Sequence, residues 1–411
     1  MKKLLGITLG VMTALGGFVD LGQIVFTMQA GALFGYQLLW TIVLGTAGII
    51  VYMEMCGRIA AVARQPVFAV VRTCLGFRLG LVTLVASNLL NLLTCAAELG
   101  GIAIVLHLLT GLPERFLLIA SAIVLVSLIL LLRFQWIERI FGLAGLMMII
   151  FAVSALTLRP NWNEFAHGLL PIAFQPDLKQ PVLYSYFAVG SFSALLMAYE
   201  VHFYSSGAIE EGWKSKDLGE NFMVAALGSV LGAVLTMALL VLGALVFLPK
   251  GIFPDILSTT VEAGTLPFGR KAVILALCGM LATLSGAAIE TGLSGGYNLC
   301  QFFHLAWGKN RPAKSVPKFT ATWVGMFFLG LLICVAGIRP LQLVNISIIF
   351  GMVILPLTYY PILQIAKDKA IMGKHANSRL DTAIATIFLY LITLAAIAAI
   401  PLMVITHSGQ L

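Results

Sequence analysis

Charged side chains are scarce in this sequence, and their scarcity excludes an ordinary soluble fold. Only 10% of the 411 residues are charged, 60% are hydrophobic, and the mean hydropathy is +1.02. Soluble domains contain about 25% charged and roughly 45–50% apolar residues. A core built from a chain of this length cannot bury so much apolar surface, so we expect lipid to solvate the excess.

Several chemical signatures are also missing. No C-x-x-C pair occurs, and the six cysteines lie mostly in or beside apolar runs, as small buried side chains do. No H-E-x-x-H motif, G-x-S-x-G motif or phosphate-binding glycine loop occurs where it could work, so we expect neither an enzyme nor a cofactor. The net charge of +8 is scattered over short loops without a basic stripe, which argues against nucleic-acid binding.

What the sequence does contain is a series of eleven apolar runs, numbered here as segments 1 to 11. Each is long enough to cross about 30 Å of hydrocarbon. Because an open sheet edge in lipid would leave backbone groups unsatisfied, all of them are predicted to be helices. We therefore predict one all-α integral membrane domain over residues 1–411. The segments cover residues 4–30, 34–55, 79–109, 115–132, 137–157, 183–208, 222–248, 271–301, 319–337, 341–365 and 383–406.

The distribution of Lys and Arg predicts the orientation in the membrane. With the N-terminus in the cytoplasm, 18 of the 25 basic residues fall in cytoplasmic loops, which is the bias that membrane proteins show. An odd number of helices then puts the C-terminus outside. We expect a multi-pass protein of the cell membrane that acts as a monomer. The seven basic residues left outside are Arg115, Arg159, Lys179, Lys250, Arg270, Lys271 and Arg339.

Segments 1 and 6 are interrupted at corresponding places in the two halves of the chain. Segment 1 carries Gly16, Gly17 and the stretch from Asp20 to Gln23, and segment 6 carries the polar stretch 197–202. Matching broken helices are typical of inverted-repeat transporters, whose substrate site lies at mid-membrane. We predict an inverted five-plus-five repeat, with repeat one at 1–160, repeat two at 181–366 and an extra helix at 382–406.

Four acidic residues fall well inside the apolar segments. A carboxylate in the bilayer core costs several kcal/mol unless it faces a partner, water or an ion, so such residues indicate function. A fifth acid, Glu54, lies near a segment end and can pair with Arg58 one helical turn away. The four internal acids are Asp20, Glu98, Glu200 and Glu290.

The two interruptions supply a plausible set of metal donors. Asp20 and Glu200 carry two negative charges, and Gln23 adds an amide oxygen. Ala194, Met197 and Glu200 share one helix face by their spacing. The Met197 thioether beside oxygen donors favours a softer divalent ion such as Mn²⁺ or Fe²⁺, because Mg²⁺ and Ca²⁺ prefer oxygen alone.

Three further residues are candidates for proton coupling, and each has a structural alternative. Glu98 and Glu290 could exchange a proton, or they could pair with Asn88, Asn91 or tyrosine hydroxyls. His202 could carry a proton, serve as a ligand, or bond to a neighbouring helix.

Several stretches resemble the natural-resistance-associated macrophage protein (NRAMP) family, whose members are proton-coupled importers of divalent transition metals. The likeness covers most of the chain and is most specific in segments 1 to 3. The matching stretches are residues 19–23 (VDLGQ), 28–40 (MQAGALFGYQLLW), 97–104 (AELGGIAI), 108–113 (LLTGLP) and 284–292 (LSGAAIETG).

The resemblance implies a leucine-transporter-like fold and a metal held by Asp20, Gln23, the Ala194 carbonyl and the Met197 thioether. It also has departures, so the chain resembles a divergent branch. Leu21 and Gln23 replace the Pro and Asn of the first-helix motif, Tyr199 and Tyr204 replace two His, Cys95 replaces one of two acids, and a helix-10 Gln falls near Ile348.

We therefore expect a secondary transporter that imports a divalent metal ion as its substrate, with a proton as co-substrate. Alternating access would rock the broken-helix bundle against the other helices. Three alternatives stay open: a Na⁺- or H⁺-coupled carrier of amino acids or other small organic solutes, a Mg²⁺-selective relative, and a metal-gated sensor or passive channel.

Overall fold

The computed structural model describes residues 19–171, 180–254, 257–265 and 267–409. Within these ranges the chain forms helices and no strand. The helices are α1 Leu21–Phe34, α2 Leu39–Ala63, α3 Val67–Thr110, α4 Glu114–Leu131, α5 Phe134–Gly145, α6 Ile149–Thr157, α7 Trp162–Gly168, α8 Pro181–Ala194, α9 Ala198–Glu210, α10 Leu218–Leu242, α11 Leu257–Thr265, α12 Arg270–Phe302, α13 Pro317–Val335, α14 Pro340–Lys367, α15 Lys369–Met372 and α16 Arg379–Ile405.

The helices confirm the all-α membrane fold. In the described part of the chain, ten helical stretches are long and apolar enough to cross a bilayer, with α8 and α9 together forming one of them. The shorter apolar helix α1 has 14 residues and occupies the end of segment 1. The beginning of segment 1, including Gly16 and Gly17, lies outside the described residues. The chain is thus a multi-pass membrane protein with elements at all eleven predicted positions.

Segment 3 is longer than the sequence predicted, because α3 begins at Val67 rather than near residue 79. The helix runs for 44 residues but contains a kink at Gly76, whose φ of 71° is left-handed. Glycine reaches this region without the steric penalty of a Cβ atom. The residues before the kink form a short apolar helix, which the hydropathy of the sequence does not separate from the preceding loop. The residues after the kink form the membrane span.

Helix α1 is held by a close backbone contact with α10. A methyl group at Gly31 would collide with the carbonyl oxygen of Leu240, and one at Gly243 would collide with that of Met28. Small residues at such crossings let two helix backbones approach each other in a membrane. The position of α1 is therefore fixed by backbone contact.

A polar network joins α3 and α12 along their buried faces. Asn88 donates to the Gly295 carbonyl at 3.2 Å and accepts from the Asn298 amide at 3.2 Å. Asn91, with its amide oriented to suit its neighbours, also accepts from Asn298. These asparagines thus pair across the helix interface, and the alternative in which they pair with Glu98 or Glu290 is wrong.

The end of α9 is fastened to the loop that follows α12. The Glu210 carboxylate accepts hydrogen bonds from the Lys309 and Asn310 backbone N–H groups and from the Tyr297 hydroxyl. The Lys309 ammonium in turn donates to the Leu132 carbonyl at 2.8 Å. We call Glu210, Tyr297, Lys309 and Asn310 the Glu210 clamp.

The predicted pairing of Glu54 with Arg58 is confirmed. The Arg58 guanidinium donates to both carboxylate oxygens of Glu54 at 2.8 and 2.9 Å. It also donates to the His375 carbonyl and the Asn377 side chain, both at 2.6 Å. Glu54 therefore has a structural role: it holds Arg58, and Arg58 links α2 to the segment before α16.

Candidate functional site

The break in segment 6 lies slightly earlier than the sequence predicted. Helix α8 ends at Ala194, α9 begins at Ala198, and Met197 between them has an extended ψ of 114°. The prediction placed the interruption at residues 197–202, but Glu200 and His202 lie inside α9. The polar residues of α9 do not break the helix, and the backbone of its first turn contacts α12, where Ser294 donates to the Tyr199 carbonyl at 3.1 Å.

Asp20 lies at the start of α1 and is almost completely buried. One carboxylate oxygen accepts from the Gln23 backbone N–H at 2.8 Å, and the other accepts from the Tyr199 hydroxyl at 3.1 Å. A carboxylate at a helix N-terminus satisfies free N–H groups and interacts favourably with the helix dipole. Both oxygens keep lone pairs that a cation can use, and their orientation is fixed from two helices.

Helix α1 contacts the break in segment 6 through Gln23. Its side-chain amide donates to the Ala194 carbonyl at 2.6 Å, which is the carbonyl at the end of α8. Its amide oxygen accepts from the Thr236 hydroxyl of α10 at 2.9 Å. The structure therefore brings together two of the predicted donors, and it binds them to one another.

Glu98 connects α3 to the start of α1. One of its carboxylate oxygens accepts from the Leu21 backbone N–H at 3.1 Å. The other oxygen is buried and has no hydrogen-bond partner among the described residues. Glu98 thus holds the N-terminal end of α1 with one oxygen and has a second oxygen to offer.

A small cavity lies where these elements meet. Asp20, Glu98 and Met197 all line it. Its volume is about 10 Å³, close to the minimum that holds one water molecule, and a single cation without its hydration shell also fits such a space. The remaining lining residues are Gly22, Thr94, Ala97, Val344, Ser347 and Ile348.

Five predicted site residues are not among those that line this cavity: Gln23 and Ala194, which bond to each other, and Glu200, Glu290 and His202. Glu200, Glu290 and His202 are fully buried, and none of their polar side-chain atoms has a hydrogen-bond partner in the described part of the chain. Glu200 lies within electrostatic range of Glu290 and, more weakly, of Asp20. The His202 ring packs edge-on against Phe68, with centroids 5.1 Å apart.

Sequence reasoning missed several residues around the cavity. Tyr199 was noted only as a replacement for a histidine, yet its hydroxyl orients Asp20. Thr94 and Ser347 line the cavity. In the sequence they directly precede Cys95 and Ile348, the two positions that the resemblance had singled out. Neutral hydroxyl groups could not be recognised in the sequence as buried acids could, because hydroxyl groups also occur throughout helix interfaces.

The site differs from a preformed metal centre. Among the described residues, no group of three or more His, Cys, Asp or Glu side chains is arranged to hold a metal ion. All six cysteines are free. A cation bound here would therefore need donors beyond charged side chains, such as the Met197 sulfur, amide oxygens and backbone carbonyls.

Comparison with known proteins points to one family. The model of the family described as natural resistance-associated macrophage protein-like matches residues 10–401. Two relatives, both described as divalent metal cation transporter MntH, come from Lacticaseibacillus casei and Ralstonia nicotianae. The first is 25% identical over 390 residues, covering 90% of this chain and 82% of the relative. The second is 25% identical over 409 residues, covering 92% and 87%.

Solved structures share the fold. A crystal structure of the Eremococcus coleocola manganese transporter matches with a TM-score of 0.74 and 21% identity, covering 96% of this chain and 85% of that one. The structure of MhsT in complex with L-phenylalanine matches with a TM-score of 0.64 and 18% identity, covering 98% of each chain. The family model spans nearly the whole chain, and this protein therefore belongs to the NRAMP family.

Proposed function

We propose that this protein is a secondary transporter that imports divalent metal ions of the Mn²⁺ or Fe²⁺ kind. The observation that carries the proposal is the cavity in which two buried carboxyl groups, of Asp20 and Glu98, meet the side chain of Met197. A divalent cation offsets the cost of burying two carboxylates. The printed names of the relatives, which call them divalent metal cation transporters, support the same substrate class.

The proposed ligands are Asp20, Gln23, the Ala194 carbonyl and Met197, with Glu200 adding negative charge nearby. The Gln23 amide N–H donates to the Ala194 carbonyl and the Gln23 amide oxygen accepts from the Thr236 hydroxyl, so Gln23 presents its oxygen to a cation only when it rotates out of both hydrogen bonds. Cation binding would then exchange these two hydrogen bonds for metal contacts with the Gln23 and Ala194 oxygens. This exchange is a small conformational step, because Gln23 needs only a side-chain rotation.

The cavity also bears on the alternative substrates. A space of about 10 Å³ is far smaller than an amino acid, which argues against an organic solute at this position. Met197 lines the cavity, and its sulfur would give little to Mg²⁺, which keeps several waters and binds oxygen. A channel or metal-gated sensor would show no saturable turnover, and kinetics separate it from a carrier.

We further propose the topology and repeat boundaries stated for the sequence. The N-terminus lies in the cytoplasm and the C-terminus outside, with repeats at 1–160 and 181–366 and an extra helix at 382–406. The basic residues support this orientation, since Lys309 and Arg311 lie at the same end of the bundle as the end of α9. Rocking of the broken helices against the others would open the cavity to each side in turn.

The proposal is tested with purified protein in liposomes. We expect saturable uptake of Mn²⁺ into proteoliposomes, with competition by Fe²⁺ and Cd²⁺, because one cavity serves these ions in turn. Uptake no faster than in protein-free liposomes would refute metal import. Uptake that rises linearly with concentration without saturation would instead indicate a channel.

Proton coupling is a separate expectation, with Glu98 as the first candidate and Glu290 and His202 as the others. A pH dye inside the liposomes should report acidification during Mn²⁺ uptake, and Glu98→Gln should diminish it. The unpartnered oxygen of Glu98 beside Asp20 is the reason, since a cation arriving there competes with a proton. Glu114→Gln, an exposed acid at the start of α4, is the matched control. A dye signal that stays flat in the wild-type protein would refute coupling.

A further inference from the structure

The buried charge of this protein is unbalanced. In the described ranges, the buried acidic residues are Asp20, Glu98, Glu200 and Glu290, and no Lys or Arg side chain is buried. When all four are ionised, they carry a charge of −4 without a basic partner, and each uncompensated charge costs several kcal/mol unless the carboxyl group takes up a proton or binds a cation. One divalent cation in the cavity leaves half of that charge in place.

The residual charge belongs to a pair on the facing surfaces of α9 and α12. Ser294 and Gln301 of α12 donate to the Tyr199 carbonyl and the Ser206 hydroxyl of α9, which shows that this face of α12 packs against α9. Glu290 lies one helical turn before Ser294 and shares its face. It therefore faces the first turn of α9, which contains Glu200.

No protein group neutralises this pair. All four carboxylate oxygens of Glu200 and Glu290 are buried, and none accepts a hydrogen bond within the described part of the chain. Glu290 is the strongest charged neighbour of Glu200, ahead of Asp20. A buried group left unsatisfied costs about 1–3 kcal/mol, and more when charged, so these oxygens need a proton, water or a cation to satisfy them.

We propose that Glu200 and Glu290 form a second site for a divalent cation, between α9 and α12, occupied together with the cavity at Asp20. The inference rests on the proposed function, because it takes the cavity as the first site. Two divalent ions neutralise the four buried carboxylates. The second site lies on the side of the cavity that leads to the Glu210 clamp, where an ion would pause on its way out.

The chemistry of the second site differs from that of the first. Two carboxylates supply its protein ligands, and water must complete the shell, since no third acid, His or Cys joins them in the described residues. Oxygen donors and retained water suit hard divalent ions as well as Mn²⁺. We therefore expect the second site to be weaker than the first and to discriminate little between Mn²⁺ and Mg²⁺.

The test counts bound Mn²⁺ on purified full-length protein in detergent, by the loss of the free-ion spin-resonance signal. We expect two ions per chain in the wild-type protein and one in Asp20→Asn. Glu290→Gln should keep the tighter ion and lose the weaker one, whose affinity falls by about tenfold or more. Glu290→Asp, which keeps the charge, should retain two, and Glu200→Gln gives an independent reading of the same site.

The outcomes separate the two proposals. If wild-type protein binds one ion, which Asp20→Asn removes and Glu290→Gln retains, the second site is refuted and the first stands. If Glu290→Gln and Glu200→Gln both still bind two ions, the pair is not the site and the inference is wrong. If the wild-type protein binds no Mn²⁺, the proposed function itself fails.

Discussion

Replacement of Asp20 by alanine is expected to abolish Mn²⁺ uptake into proteoliposomes. Asp20 is buried, lines the cavity and is held in place by the Gln23 backbone and the Tyr199 hydroxyl. Loss of one partner from a buried charge pair costs about 3–5 kcal/mol, which is roughly two to four powers of ten in affinity. Initial rates of uptake at fixed Mn²⁺ concentration measure the effect.

The alanine variant also removes the N-cap of α1, which alone costs about 1 kcal/mol. Asp20→Asn separates the two effects, because asparagine is a good N-cap and keeps an acceptor for the Gln23 N–H. We expect it to fold normally and still fail to take up Mn²⁺. Glu114→Ala, at an exposed acid, should transport at the wild-type rate. Wild-type uptake by Asp20→Asn would show that the carboxylate charge is not needed.

Replacement of Met197 by alanine is expected to change which ions are preferred. Its side chain lines the cavity beside two carboxyl groups, and a thioether sulfur binds the soft ion Cd²⁺ far better than Mg²⁺ or Ca²⁺, with Mn²⁺ intermediate. We expect the apparent affinity for Cd²⁺ to fall by about tenfold, or 1.4 kcal/mol, with a smaller loss for Mn²⁺ and little change for Mg²⁺ or Ca²⁺. Competition of each ion against Mn²⁺ uptake measures the order.

Met197→Leu separates sulfur from side-chain volume, because leucine fills a similar space without a donor atom. It should reproduce the loss of Cd²⁺ affinity seen with alanine. Met280→Leu, at a buried methionine of α12 that does not line the cavity, is the matched control and should leave the order unchanged. Equal losses for all ions in Met197→Leu would mean that the sulfur is not a ligand.

The fold was largely predictable, because lipid imposes a simple rule on the sequence. A spanning segment must be apolar and helical, so the positions of the long helices follow from hydropathy, whereas those of the short helices α7, α11 and α15 do not. The interrupted segment 6 was also predictable, since polar residues inside an apolar run stand out. Its position was not: Glu200 and His202 look like the break but lie within α9, and the break falls at Leu195, Leu196 and Met197.

Only the charged and sulfur-containing residues of the cavity could be predicted from the sequence. Asp20, Glu98 and Met197 stand out in the sequence, because each is unusual at its depth. The roles of Tyr199 and Thr236 depend on which helices meet, and that information lies in the three-dimensional packing of α9 and α10 against α1. The prediction that Glu200 is a direct ligand stays a prediction, as do the proton-coupling roles of Glu98, Glu290 and His202.

The Glu210 clamp makes the exit step sensitive to temperature. Release of an ion between α9 and α12 would require this end of α9 to move away from the loop after α12. The carboxylate would then have to give up three donors at once, each worth about 1.5–3 kcal/mol because the acceptor is charged. Cooling should therefore slow turnover steeply while leaving cation affinity nearly unchanged. The opening of the Glu210 clamp, rather than the binding of the cation, would then be the rate-limiting step of transport.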